Sequence, residues 1–287
     1  MRLLGQGRAC GGISLLHAVG CGNGCAAPID LWTHVSLTDE PLEISEDEHK
    51  LLELLLDAWK ARDLPLPDGN LGWEINSNIP IGMGLKSSSA LLVAAMDALS
   101  QATGVMISDA VCCNILSAIQ IQSGCSITGG RDDIVVCNNH STILVDVYDE
   151  VACRIKMIKM PPMEVFLIIR DLEKSKINIA EFENRKTRFE EVVIDLVSGN
   201  PLQAFSKNGQ LVGEATGDKD ALAICEDIEI LTNGRAAISG SGPAIAVICL
   251  REENQKIIEH LKSRGLQFIH TRIYQYPELT WEREPWE

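Results

Sequence analysis

The stretch Pro80-Ile81-Gly82-Met83-Gly84-Leu85-Lys86-Ser87-Ser88-Ser89-Ala90 gathers glycines, a lysine and three consecutive serines. It joins a segment with strand character, 73–78, to an apolar segment with helical character, 91–102. Small residues and hydroxyls are thus delivered to a helix N-terminus, where backbone N–H groups are unpaired and the macrodipole is positive, so an anion is held there. Glycine lets the backbone approach closely, and serine hydroxyls reach phosphate oxygens or a metal ion. The chemistry is that of a nucleotide phosphate site. The spacing is not that of a Walker A loop, and no stretch of the chain satisfies Gly-x-Gly-x-x-Gly. A Gly/Ser loop that merely starts a helix has the same local pattern.

Thr128-Gly129-Gly130-Arg131-Asp132-Asp133 offers paired carboxylates. An ionised carboxylate beside a hydroxyl can take its proton, although a polar turn ahead of a strand uses the same residues. Gly240-Ser241-Gly242-Pro243 reads as a Gly-rich turn before a strand at 244–250. With Ser239 ahead of it, this is not a Gly-x-Ser-x-Gly nucleophile elbow. An acid substrate needs a guanidinium or ammonium. Arg8, Arg131 and Lys86 are the candidates beside these motifs, and each could equally be a solvated charge. His17, Asn23 and Asp30 could bind hydroxyls, while a histidine in the apolar run 13–19 also suits a core. Cys21 and Cys25 in a Gly-rich loop could bind a metal but lack a second pair.

These residues need elements to position them. Alternation marks a strand at 33–38, and helical periodicity runs from 47 to 62, ended by Pro65 and Pro67. Ser108 is placed to cap a helix at 109–122, with Gly124 beyond its end. Residues 134–137 and 142–148 read as a hairpin about Asn138-Asn139-His140. After the prolines at 161 and 162 come a buried strand (164–170), helices at 179–197, 202–213 and 219–231, the strand 244–250, a helix at 252–262 and a strand at 267–274. The expected units are residues 1–156 and 157–287. The tail 280–287, with Trp281 and Trp286 among acidic residues, reads as a poorly ordered end.

Composition narrows the class. The chain has 287 residues, 46% hydrophobic and 23% charged, as expected of a globular protein. A net charge of −15 disfavours nucleic acid and anionic membranes as partners. No apolar run approaches the ~18 residues of a membrane span, and the early apolar run lacks the flanks of a signal peptide, so a cytoplasmic location is expected. Ten cysteines without a Cys-x-x-Cys pair suggest reduced thiols, many of them buried.

Three motifs in order, 18–31, 80–90 and 238–244, resemble those of the GHMP kinases, the family of galactokinase, homoserine kinase and mevalonate kinase. Gly84-Leu85-Lys86-Ser87-Ser88-Ser89-Ala90, Gly7-Arg8-Ala9 and 127–133 are similar to the archaeal shikimate kinases within it, where Lys86 replaces a residue that is elsewhere small. The resemblance implies an α+β fold with a ribosomal-S5-like N-terminal domain and a ferredoxin-like C-terminal domain. Its cleft would take ATP, Mg²⁺ and shikimate, in aromatic amino-acid biosynthesis, the alternatives being another kinase of the family such as one using homoserine, or a nucleotide-binding regulator that has lost catalysis. Asp132 would be the general base, Ser88 and Asp133 would meet Mg²⁺, and Pro80 to Ala90 with Gly240, Ser241 and Gly242 would hold ATP. Arg8, His17, Asn23, Asp30 and Arg131 would contact the substrate. The family often carries a Mg²⁺-binding Glu about ten residues before the base; here Gln120 to Ser123 holds no acid. With Gly84 facing phosphate and remote from the cores, Gly84→Val is expected to weaken ATP more than tenfold, about 1.4 kcal/mol, at little cost in stability.

Overall fold

The computed structural model describes residues 1–41, 47–151, 153–173 and 176–275. The tail containing Trp281 and Trp286 lies outside the described residues. The first sheet is built on a long antiparallel pair, β1 (Leu3–Leu16) and β2 (Asn23–Thr38). The outer half of β2 pairs with β3 (Gly72–Ser77). Its inner end, Asn23 to Ala26, pairs with β4 (Ile143–Asp146), which in turn pairs with β5 (Arg154–Met157). The Gly-rich run expected as a loop is therefore mostly strand, and only residues 17–22 turn the chain, through a short 3₁₀ segment at Ala18–Gly20.

Glycine is poor at forming strands, so β1 could not be recognised from propensity. Its glycines answer to packing. A Cβ on Gly5 or Gly7 would lie 2.2 Å from the backbone oxygen of Ala98 or Ala94 on α2 (Ser87–Thr103). Helix α2 is apolar around most of its circumference, as a helix enclosed by other elements must be. α1 (Leu51–Lys60) and α3 (Asp109–Gln122) pack beside it. α1 starts four residues later than the periodicity suggests, because Asp47 turns back as an acceptor for the N–H groups of Leu51 (2.7 Å) and Leu52 (2.9 Å). Ser108 stands at the start of α3 without a side-chain capping bond.

The expected hairpin at 134–148 is half wrong. Residues Arg131–Asn139 form a helix, α4, followed by β4. The β-branched run Ile134, Val135, Val136 suggested a strand, but all three are buried against β1, β2 and α2, and packing overrides propensity. Gly130 at φ +59° and the acidic first turn start the helix.

The second sheet is antiparallel in the order β7-β8-β6-β9: β7 (Arg235–Ile238), β8 (Ile245–Cys249), β6 (Glu164–Ile168), β9 (Phe268–Arg272). It carries α5 (Ile179–Glu183), α6 (Lys186–Val197), α7 (Pro201–Thr216), α8 (Lys219–Leu231) and α9 (Asn254–Ser263). The single helix expected over 179–197 is thus two. An Ile29–Ile273 bridge and a bond from Tyr274 N–H to the Pro28 carbonyl (2.9 Å) tie the sheets together. No helix among the described residues is long and apolar enough to cross a membrane.

Candidate active site

A cleft of about 640 Å³ opens where β1, the N-terminus of α2, α3, the first turn of α4 and the 240–241 turn converge. Of the Pro80–Ala90 segment, Ile81, Gly82, Gly84, Lys86, Ser87 and Ser88 line it. Leu85, Ser89 and Ala90 are buried, and Pro80 and Met83 do not reach the lining. α2 begins at Ser87, so the N–H groups of its first turn have no helical acceptor and face this end of the cleft. Gly240 and Ser241 join the lining from the other sheet, while Gly242, at φ +79°, sits behind them.

The two Gly-rich segments are locked together. Ser239 Oγ donates to the Gly84 carbonyl (2.9 Å) and accepts from Ser14 N–H (3.4 Å), and Gly240 N–H donates to Ser14 Oγ (3.1 Å). A Cβ on Gly84 would meet the Ser239 carbonyl oxygen at 2.1 Å. This corrects the expectation for Gly84→Val: Gly84 faces backbone of the second motif, so the substitution strikes stability as well. Gly82 has the same positive φ, +74°, but open space where its Cβ would stand.

Asp132 and Asp133 occupy the first turn of α4, and both line the cleft. Asp132 is 5% exposed and pressed against Gly24, whose Cβ would lie 2.4 Å from the carboxyl. Burial, then the neighbouring charge of Asp133, pushes its pKa up to about 7, while Lys86 pulls the other way. Lys86 Nζ lies 2.7 Å from Asp133 Oδ1 and donates to Ser14 Oγ at 2.7 Å. Burial works against the charged ammonium, but Asp133 and Asp132 outweigh it and hold its pKa above the ordinary lysine value.

Gln120 is buried on α3, in the Gln120 to Ser123 stretch that holds no acid. Its Nε2 donates to Ser89 Oγ (2.8 Å), and Ser88 Oγ donates to its Oε1 (3.3 Å). The candidate metal donors are therefore the neutral Ser88 and Gln120 oxygens plus Asp133. That set suits an ion arriving on a triphosphate better than an all-protein cage. Among the described residues no group of three or more His, Cys, Asp or Glu could hold a metal, so Cys21 and Cys25 gain no partners.

The five residues expected at the substrate divide unevenly. His17 lines the cleft, its Nδ1 accepting from Val19 N–H (3.3 Å) and its ring 5.0 Å from Phe182. The other four are absent from its lining. Arg8 lies over Trp32, 5.1 Å from the ring centre. Arg131 is the buried first residue of α4, bonded to Asn114 and 3.8 Å from Glu150. Asn23 is in the β2 ladder opposite Asp146. Asp30 accepts from Trp32 Nε1 (2.8 Å) and pairs with Arg272 (2.8 Å). In their stead the lining includes Asp47, Glu48, His49, Ser126 and Thr128. Ser14 was missed as well. Its only sequence signal was a hydroxyl among apolar residues of the run 13–19, and nothing marked Gly24 as the residue that makes room for Asp132.

Residues 49–139 match the family described as GHMP kinases N terminal domain. The chain is similar to the shikimate kinase of Pyrococcus abyssi, 27% identical over 270 residues that cover 91% of this chain and 96% of that protein. It is also similar to the shikimate kinase of Thermoplasma acidophilum, 29% identical over 244 residues, 83% and 84% of the two chains. Among solved structures, Streptococcus pneumoniae phosphomevalonate kinase in complex with phosphomevalonate and AMPPNP superposes with a TM-score of 0.73 at 13% identity, over 93% of this chain and 99% of that one. A putative homoserine kinase from Listeria monocytogenes gives 0.62 at 13% identity, over 93% and 96%. At such identity the structures establish the fold, the two-domain architecture of these kinases.

Proposed function

Because the chain belongs to the GHMP kinases, we propose that it transfers the γ-phosphoryl group of MgATP to the 3-hydroxyl of shikimate, giving shikimate 3-phosphate and ADP. The observation that carries this reading is the presence of the Pro80–Ala90 loop and the acidic pair Asp132–Asp133 on one cleft. Loop and helix N-terminus receive the triphosphate, and Gly240 and Ser241 close on it from the second sheet. Mg²⁺ would neutralise charge on the phosphates, held by Ser88 and Asp133 with Gln120 alongside. Asp132 accepts the substrate hydroxyl proton, a role matched to a pKa near neutrality. With Arg8 and Arg131 remote, the substrate carboxylate falls to His17 and His49. Residues 1–156 then form the nucleotide domain and 157–287 its lid-side partner, in a cytoplasmic enzyme.

One observation favours a second substrate. Asp47 and Glu48 make that end of the lining acidic, which suits an amino-bearing alcohol such as homoserine. Purified protein given ATP, Mg²⁺ and shikimate, homoserine or mevalonate, with ADP release followed and the product read by ³¹P NMR, decides the matter. Shikimate turnover is expected. A preference for homoserine would replace the substrate and keep the kinase, whereas no turnover of any of the three would sink the reading.

A further inference from the structure

We propose that Lys86 is a positioning residue that ties the Pro80–Ala90 loop to the acidic pair, so that the seating of the phosphate segment and the placement of Asp132 are set by one side chain. The inference rests on the phosphotransfer reading of the same cleft.

Lys86 has φ +71° and ψ 23°, the left-handed conformation that a residue with a Cβ rarely adopts. A strained backbone persists only where the surroundings over-determine it. Here the Leu85 carbonyl accepts from Gly12 N–H (3.2 Å) and the Lys86 carbonyl from Ala90 N–H (2.9 Å). Lys86 is part of the cleft lining, yet its side chain is almost wholly buried in that wall. Gly12 leaves it a passage, since a Cβ there would lie 3.3 Å from Lys86 Cγ. The ammonium ends between Asp133 Oδ1 and Ser14 Oγ, 2.7 Å from each, with the side chain 5% exposed. Ser14 Oγ also accepts from Gly240 N–H. One cation therefore joins the start of α2, the first turn of α4 and β1, and through Ser14 reaches the second Gly-rich motif. A lysine serving mainly as a phosphate ligand would leave its donors unshared; this ammonium already sits 2.7 Å from two other residues of the cleft wall, Ser14 Oγ and Asp133 Oδ1. Pinning Asp133 fixes the first turn of α4, and Asp132 is the adjacent residue of that turn, backed by Gly24.

The tests are Lys86→Met, Lys86→Ala and the double variant Lys86→Met/Asp133→Asn. Lys86→Met should lower kcat by about 10²-fold while the dissociation constant of a non-hydrolysable ATP analogue, measured by calorimetry, moves less than about threefold. Propylammonium should restore part of the kcat of Lys86→Ala. Loss of analogue affinity beyond about tenfold with kcat kept at saturation would make Lys86 a phosphate ligand and overturn the proposal. Wild-type values of both would also overturn it. Thermal melts without ligand give a readout independent of substrate. The single variant leaves Asp133 without its cation and should melt lower, and the double variant should recover most of the loss. A double variant no more stable than the single one rules out the anchor. A wild-type protein that phosphorylates none of the three alcohols defeats the functional reading alone, and the melts still judge the anchor.

Discussion

Two ion pairs that each join a buried cation to a partly buried carboxylate, one in the cleft and one at the end of the second sheet, are built differently. Arg170, at the end of the second sheet, donates through Nε to the Pro243 carbonyl (2.6 Å) and through Nη1 to Asp218 Oδ1 (2.9 Å), with Nη2 on the other carboxylate oxygen. Asp218 also accepts from Ala221 N–H at the start of α8 (3.1 Å). One cation meets one carboxylate in a fork, and the charges balance. Burial alone would raise the pKa of Asp218, but Arg170 and the Ala221 N–H outweigh it and hold the carboxyl below the usual range. In the cleft a single ammonium serves two adjacent carboxylates, and the one left over, Asp132, is pushed up to about 7. A satisfied pair fixes structure. An under-compensated one keeps a base ready to exchange a proton, as active sites do.

The largest effect should come from breaking the balanced pair. Arg170→Met leaves Asp218 without its partner and frees the Pro243 carbonyl, so stability should fall by about 3–5 kcal/mol, seen as a melting temperature lower by on the order of 10 °C. A loss within a degree or two would mean the brace contributes nothing net, and the contrast with the cleft would vanish. Asp132→Asn should behave in the opposite sense. Turnover should fall by roughly 10²-fold or more because the proton acceptor is gone, while the fold and nucleotide binding are kept, since the Lys86–Asp133 pair is left evenly charged. Near-native turnover of the asparagine variant would remove Asp132 from the mechanism.

How much of this was legible in the sequence follows from the range of the interactions. The helices at 109–122 and 219–231 could be read almost to the residue, because periodicity and end signals are local. The Pro80–Ala90 loop, Asp132, Asp133 and the 240–242 turn were found because motifs are contiguous, and all but Gly242 and the buried or outlying loop residues line one cleft. Arg8, Arg131, Asn23 and Asp30 were chosen for charge or hydrogen-bonding capacity next to a motif. Sequence proximity does not say which face of a strand or helix a side chain takes, and each found a partner elsewhere. Gly24 and Ser14 act across the sheet and the bonds of Gln120 run between helices, so only the assembled fold reveals those contacts.

Gly84 sits on the seam between the two regions, and Gly82 is its control. Both have φ +74°, so alanine at either position costs roughly 1–2 kcal/mol of backbone strain. Only at position 84 would the new Cβ also run into the Ser239 carbonyl, behind which Arg170 holds Pro243. Gly84→Ala should therefore lower the melting temperature by several degrees more than Gly82→Ala and weaken MgATP together with it. Gly82→Ala should act on the nucleotide with the smaller stability loss. Equal melting losses for the two variants would show that the loop gives way, and that the seam does not transmit the brace to the cleft.

The smallest effect is the pH response of stability, where the two carboxylates should have opposite signs. Asp132 keeps a proton in the folded protein that the unfolded chain releases near its ordinary 3.8. Its contribution is therefore fully present below pH 3.8 and is lost as pH rises through about 7. Asp218 is shifted the other way, so its contribution is present above 3.8 and is lost only as pH falls through the lower folded value. Between pH 5 and 8 Asp218 is flat, and of these two carboxylates only Asp132 contributes a slope. In metal-free buffer the melting temperature of the wild type should fall relative to Asp132→Asn across that range, with the variant level with it or higher at pH 8. The same groups titrate elsewhere in both proteins, so the difference curve isolates this carboxyl. Parallel melting curves from pH 5 to 8 would mean that Asp132 ionises like an ordinary surface aspartate. The two ion pairs would then differ in geometry alone.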